Sequence, residues 1–156
     1  MRVAIVAVGR LRAGPEATLA ADYLARFDRA GRRLGLGPAT MAEVEDRRGG
    51  GPAAEAALLE AAIPRGARVI ALDERGRMVD SPGFAALLRD WSDAGVRDAA
   101  ILIGGADGLD PALRARAGAV ISFGPMVWPH LLVRVMLAEQ LYRAATILGG
   151  GPYHRG

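Results

Sequence analysis

The sequence has no cysteine, which excludes disulfides, thiolate nucleophiles and Cys-based metal sites together. Lysine is absent as well, so all 20 of its cationic Lys+Arg positions are arginine. That removes a Walker-type phosphate lysine, a Schiff-base lysine and a lysine general base. No apolar run approaches the roughly 18 residues of a membrane span. The N-terminus lacks the charged, apolar, small-residue layout of a signal peptide. A cytoplasmic protein without membrane contact is therefore expected. Internal repeats and low-complexity tracts are missing too, and histidine is down to two residues.

What is present is a chain of 156 residues, 51% of them hydrophobic. This suits a single domain spanning residues 1–156, large enough to bury about two-thirds of its unfolded surface. The net charge of +3 is compatible with nucleic acid without pointing to it.

Residues 2 to 8 are a continuous Val- and Ile-rich run, the pattern of a strand buried on both faces of a parallel sheet. Gly14-Pro15-Glu16 places proline and an acid at a helix start, and the segment from Gly31 to Gly37 breaks that helix. A weaker strand follows at residues 39 to 44, then a loop at Arg47 to Gly51 and an Ala-rich helix from Pro52 to Ile63, stopped by Pro64. Arg68 to Leu72 is the third strand, with Asp73 to Arg77 read as a polar turn. Ser81-Pro82 opens a helix to Asp93. Ala99 to Ile103 and Ala119 to Phe123 are the last strands, separated by a short helix from Asp110-Pro111. One long helix runs from about His130 to Leu148. The order implies an α/β fold, a mostly parallel sheet with helices on both faces. Ligands of such sheets bind outside the carboxyl ends of the strands, where the loops after Leu72, Ile103 and Phe123 converge.

The turn Ile103-Gly104-Gly105-Ala106-Asp107-Gly108 is not a G-x-G-x-x-G fingerprint and has no ribose-binding acid at the usual offset, which disfavours a nicotinamide site. Its glycines permit close approach to bare backbone, although a simple chain reversal reads equally well. The loop Gly124-Pro125-Met126-Val127-Trp128-Pro129 is stiff and apolar, and stiffness lowers the entropy lost on binding. Trp128 could equally pack into the core. In the long helix, Arg134 occupies the middle of the apolar face, so a carboxylate, phosphate or chain-terminus partner is expected for it. Glu139 and Arg143, four residues apart, read as a surface helix pair. The tail Pro152-Tyr153-His154-Arg155 follows a Gly149-Gly150-Gly151 hinge and offers groups that could stack on a base, move a proton and hold a phosphate. Arg10, Arg12, Arg47 and Arg48 are candidates for RNA contact.

Several of these segments occur together in one family. The opening Val3-Ala4-Ile5-Val6-Ala7-Val8-Gly9, the segment Ile70-Ala71-Leu72-Asp73, the Ile103 to Leu109 turn, Pro129-His130-Leu131-Leu132-Val133-Arg134-Val135, Glu139-Gln140-Leu141-Tyr142-Arg143-Ala144 and the closing Tyr153-His154-Arg155 resemble the bacterial ribosomal RNA large subunit methyltransferase H enzymes of the SPOUT superfamily. One position departs: Leu131 stands where such proteins usually carry Gln or Pro. The resemblance implies a C-terminal trefoil knot and a homodimer pairing through the long helix; the ion pair expected of Arg134 would then lie at or near that interface or the cofactor pocket. It implies that Leu72, the turn at Gly104 and Gly105, and the loop Gly124, Pro125, Met126, Val127, Trp128 and Pro129 hold S-adenosylmethionine. The implied reaction is methyl transfer to N3 of a pseudouridine in a stem-loop of 23S ribosomal RNA on assembled ribosomes, without a metal. The tail would serve the site across the dimer, with Tyr153 and Arg155 on the RNA and His154 assisting proton removal; His130 is a second catalytic candidate. Two other readings remain beside it, a non-catalytic ribosome- or RNA-binding module and an α/β enzyme using another nucleotide cofactor.

Overall fold

The computed structural model describes residues Met1 to His154, the last of them by its backbone. Five strands, β1 (Arg2–Val8), β2 (Ala39–Val44), β3 (Arg68–Met78), β4 (Asp98–Ile103) and β5 (Ala119–Ser122), alternate with helices α1 (Pro15–Gly31), α2 (Gly51–Ala62), α3 (Ser81–Asp93), α4 (Pro111–Ala115) and α5 (His130–Leu148). A short 3-10 turn, Arg32–Leu34, follows α1, and a second, Pro152–His154, closes the described chain.

The strands form one sheet in the order β2-β1-β4-β3-β5, and every neighbouring pair is parallel. Each strand must therefore return by a crossover, which puts helices on both faces. Side chains of β1 alternate between two cores. Val3, Ile5 and Ala7 meet Phe27, Phe84, Leu88, Leu137 and Leu141 from α1, α3 and α5. Ala4, Val6 and Val8 meet Leu59 of α2 and Leu113 of α4. This double burial is why the strand is an unbroken apolar run rather than an alternating one.

Local signals set the helix ends. Asp80 caps α3 by accepting from Gly83 N at 2.8 Å, and Asp110 caps α4 by accepting from Ala112 N at 2.9 Å. Proline sits in the first turn of both, where its missing N–H has no helical partner to lose.

The third strand departs from the sequence reading. Asp73 to Arg77 is not merely a polar turn: β3 continues to Met78, and its register against β5 shifts between Leu72 and Arg77, both of which pair with Ile121. A bulge absorbs the additional residues and re-aims the strand. Gly76 makes this possible, because a Cβ there would lie 2.5 Å from the Ile121 carbonyl carbon. Asp73, Glu74 and Arg75, which resemble a solvated turn, instead line the rim of a cavity.

Candidate active site

The carboxyl ends of β3, β4 and β5 open onto one cavity of about 270 Å³, bordered by the residue 72–75 segment, the residue 103–109 turn and the residue 122–128 loop, with His130 and Val133 from α5. All three loops singled out in the sequence thus meet. Leu72, Gly104, Gly105, Gly124, Met126, Val127 and Trp128 border the space. Pro125 and Pro129 flank it without lining it; Pro129 is instead the N-cap of α5. Trp128 retains 37% exposure and Val127 89%, so this loop forms a wall and not a core plug.

The glycine turn is built to expose backbone. Gly108 N donates to Gly105 O at 3.1 Å, and Gly108 takes a φ of 80°, a region costly for a residue with a Cβ. Gly104 is tighter still: a Cβ would sit 2.5 Å from both the carbonyl carbon and oxygen of Gly108. At Gly105 the neighbour is the Glu55 carboxylate, 2.8 Å from the Cβ position, a flexible group that can yield. The opposite loop is fixed by Ser122, whose buried hydroxyl accepts from Gly124 N at 3.1 Å. Asp73, only 5% exposed at its side chain, pairs with Arg114 of α4 at 3.1 Å. Its other oxygen accepts from Arg75 N at 2.9 Å, so one carboxylate shapes the rim segment. Asp73, Glu74 and Asp107 border the cavity; Arg114 offsets Asp73 and Arg75 approaches Glu74 at 4.0 Å, which leaves Asp107 as the acid in excess and tilts the rim toward a positively charged ligand.

Arg134 is completely buried. Its Nη1 donates to Glu43 Oε1 at 2.8 Å, and its Nη2 donates to the carbonyl oxygens of Val8 at 2.5 Å and Gly9 at 2.9 Å. Its Nε has no partner among the described residues. Burial pushes the guanidinium below its ordinary pKa, while the Glu43 carboxylate draws it back up. His130 lies one helical turn before it, and Gly9 faces both, its Cβ position 3.5 Å from Arg134 Nη2 and 3.7 Å from His130 Nε2.

The tail folds back on the far half of α5. Tyr153 donates to Glu139 Oε1 at 3.0 Å, packs at a tilt against Tyr142 with ring centroids 4.6 Å apart and lies beneath the Arg143 guanidinium at 4.8 Å. Burial, and then the Tyr23 and Glu139 partners, push its hydroxyl well above the usual tyrosine range. The Glu139–Arg143 pair, at 2.7 Å, corrects the surface reading: the two side chains are only 17% and 28% exposed, covered by the tail. The angular pattern of α5 could not show this, because the cover comes from beyond the helix. Nine residues separate Glu139 from His130, a rise of about 13 Å, so Tyr153 does not meet the cavity of its own chain. The side chain of His154, and all of Arg155, lie outside the described residues.

Arg10, Arg12, Arg47 and Arg48 are exposed. Arg10 and Arg47 both approach Glu45, at 3.8 and 3.4 Å. Arg48 uses its backbone N–H to bind Asp46 Oδ1 at 3.0 Å. Glu43, Asp73, Arg114 and Ser122 escaped the sequence reading. Asp73 carried a usable signal, being an acid immediately after a buried strand at its ligand-facing end; Glu43 carried none. Among the described residues no group of three or more His, Cys, Asp or Glu could hold a metal, and no helix is long and apolar enough to cross a membrane.

Residues 1–154 match the family described as predicted SPOUT methyltransferase. Ribosomal RNA large subunit methyltransferase H of Dinoroseobacter shibae is 68% identical over 155 residues, covering 99% of each chain. The enzyme of the same name from Ruegeria pomeroyi is 65% identical with the same coverage. Among solved structures, a probable methyltransferase from Bordetella pertussis Tohama I superposes with a TM-score of 0.52 at 16% identity, covering 92% of this chain and 95% of that one, a likeness of fold.

Proposed function

The chain belongs to the SPOUT methyltransferase family, and from that premise we propose that it transfers a methyl group from S-adenosylmethionine to N3 of a pseudouridine in a 23S ribosomal RNA stem-loop on assembled ribosomes. The relatives' name supplies the large-subunit RNA substrate. The observation that carries the reading is the single cavity in which bare glycine backbone, a stiff apolar loop and an acidic rim meet at the strand ends.

The residues present fit the donor. Leu72, Trp128 and Val133 offer apolar walls to an adenine, the turn from Gly104 to Gly108 offers main-chain groups, and Asp73, Glu74 and Asp107 face a site suited to a cation. When bound, S-adenosylmethionine supplies an electrophilic methyl on a positively charged sulfur. The chain's own task is alignment, since in-line geometry can account for several kcal/mol of a barrier. It must also accommodate the N3 proton as negative charge develops on the base. His154 assists that removal, Arg155 steadies the base or its phosphate, and His130, at the cavity wall, is the second candidate.

The tail's docking site on its own α5, remote from its own cavity, supports service to a second copy in a homodimer. A groove of about 670 Å³ beside α5, bordered by Leu19, Tyr23, Met78, Phe84, Val135 and Met136 among others, supports α5 as the pairing region. A knotted C-terminal segment and a cytoplasmic location belong to the same proposal. Arg10, Arg12, Arg47 and Arg48, on loops at the carboxyl edge of the sheet, supply phosphate contacts whose strength falls with salt.

Purified protein, S-adenosylmethionine and ribosomes lacking the modification test this directly by mass spectrometry of the large-subunit RNA. A gain of one methyl on a pseudouridine is expected. Saturable binding competed by S-adenosylhomocysteine, and by neither ATP nor NAD, is the companion result; ribosome binding with no methylation would leave a non-catalytic module instead.

A further inference from the structure

The exit of β1 is clamped from two sides by one ion pair, a buried Arg134 guanidinium and a Glu43 carboxylate whose side chain keeps 26% exposure. Arg134 Nη2 takes the carbonyls of Val8 and Gly9. The same Glu43 oxygen that receives Arg134 Nη1 at 2.8 Å also accepts from the N–H of Leu11 at 2.7 Å. Arg10 is the residue held between these anchors. Glu43 itself is set by register, facing Ala7 across the β1–β2 ladder. Gly9 is favoured as glycine by its φ of 85°, and its Cβ position lies within van der Waals contact of both Arg134 and His130. His130, which borders the cavity, stands one turn before Arg134 on α5, so the clamp ties the cavity wall and the loop of Arg10 and Arg12 into one rigid unit.

We infer that Glu43 is a positioning residue: by holding Leu11 N–H and Arg134 on a single oxygen, it fixes the Gly9–Arg12 loop against the start of α5 and so sets how RNA is presented to the cavity. A pair placed for stability alone would need no bond to the loop. The loop bond is the part with a use beyond packing. The inference rests on the proposed RNA reaction, because the loop's arginines matter only if RNA is the partner.

The test compares Glu43→Ala with Glu43→Gln in the full-length protein, at a temperature where circular dichroism shows both folded. Glutamine keeps an Oε1 that can accept both bonds; alanine does not. For Glu43→Ala, the KM for ribosomes is expected to rise about tenfold with kcat and S-adenosylmethionine affinity changed by less than about twofold, and Leu11 amide exchange is expected to quicken about tenfold. Glu43→Gln should restore both readouts to near the wild-type values. If Glu43→Ala does not fold, Glu43→Leu combined with Arg134→Met removes the buried guanidinium together with its partner charge while still denying Leu11 its acceptor, and the same KM and exchange changes are expected. Unchanged KM or unchanged Leu11 exchange in the alanine or double variant overturns the inference, as does a glutamine variant that behaves like alanine. A wild-type protein that methylates no ribosomal RNA would overturn the reaction instead, while Leu11 exchange still decides whether Glu43 holds the loop.

Discussion

Tyr153 and Glu139 meet across 3.0 Å, hydroxyl to carboxylate, and that bond attaches the end of the described chain to the third turn of α5. Glu139 Oε1 also receives Arg143 at 2.7 Å, and Glu139 Oε2 receives Gln140 Nε2 at 2.7 Å. The carboxylate is therefore a hub, and removing one donor leaves others in place. Tyr153→Phe should cost about 1 kcal/mol, a fall in Tm of roughly 2 to 4 °C for a domain of this size. It should also speed proteolytic trimming of the tail. Differential scanning calorimetry and limited proteolysis check the two effects; a Tm unchanged by the variant would mean that the hydroxyl adds nothing to docking.

The same tyrosine sets a pH limit. Its folded pKa is raised above the ordinary value of about 10, by burial first and then by Tyr23 and Glu139. The protonated form is the one the folded state favours. Its contribution is fully present below about pH 10 and is lost as pH rises through the higher folded value. Ultraviolet titration of tyrosinate should show one tyrosine ionising late, and Tyr153→Phe should abolish that late step.

Two adjacent glycines should behave differently. Gly104→Ala drives a methyl into the Gly108 backbone at 2.5 Å, whereas Gly105→Ala meets the movable Glu55 carboxylate. Calorimetric titration with S-adenosylmethionine should show binding weakened by at least about a hundredfold in the first, since backbone must shift to make room. A loss of about tenfold or less is expected in the second, with recovery in Gly105→Ala combined with Glu55→Ala.

Breaking the Asp73–Arg114 pair tests the rim. Arg114→Ala leaves a nearly buried carboxylate without its cation, at a cost of about 1 to 3 kcal/mol. Urea unfolding should record that loss, and cofactor affinity should fall with it because Asp73 also holds Arg75 N. Asp73→Asn keeps an acceptor for Arg75 but removes a negative charge from the rim, and should lower affinity for the cationic cofactor more than Arg114→Ala does.

The order of elements, the parallel sheet and the meeting of three loops were legible because each rests on local patterns: apolar runs, proline at helix starts, glycines after strands. The end of β3 was not. Asp73, Glu74, Arg75 and Arg77 have the composition of a turn, and only the distant pairing with Ile121 makes a strand of them. Arg134's need for a counter-charge followed from its place on the apolar face of α5, but its partner lies 91 residues away on a strand whose acid looked ordinary. Glu139 and Arg143 form the helix pair their spacing predicts, but its partial burial was not legible, since helical periodicity describes a helix alone and says nothing about a tail that returns to cover it.

The bulged junction of β3 with β5 also governs when the ligand space comes into being. β5 touches the sheet only through β3, and the third wall of the cavity hangs from β5. A truncated product ending before Ala119 would carry the glycine turn, yet it would lack both Ile121, whose pairing shapes the acidic rim, and the loop that opposes the turn. Retention on immobilised S-adenosylhomocysteine can therefore report completed synthesis, discriminating finished polypeptides from nascent ones.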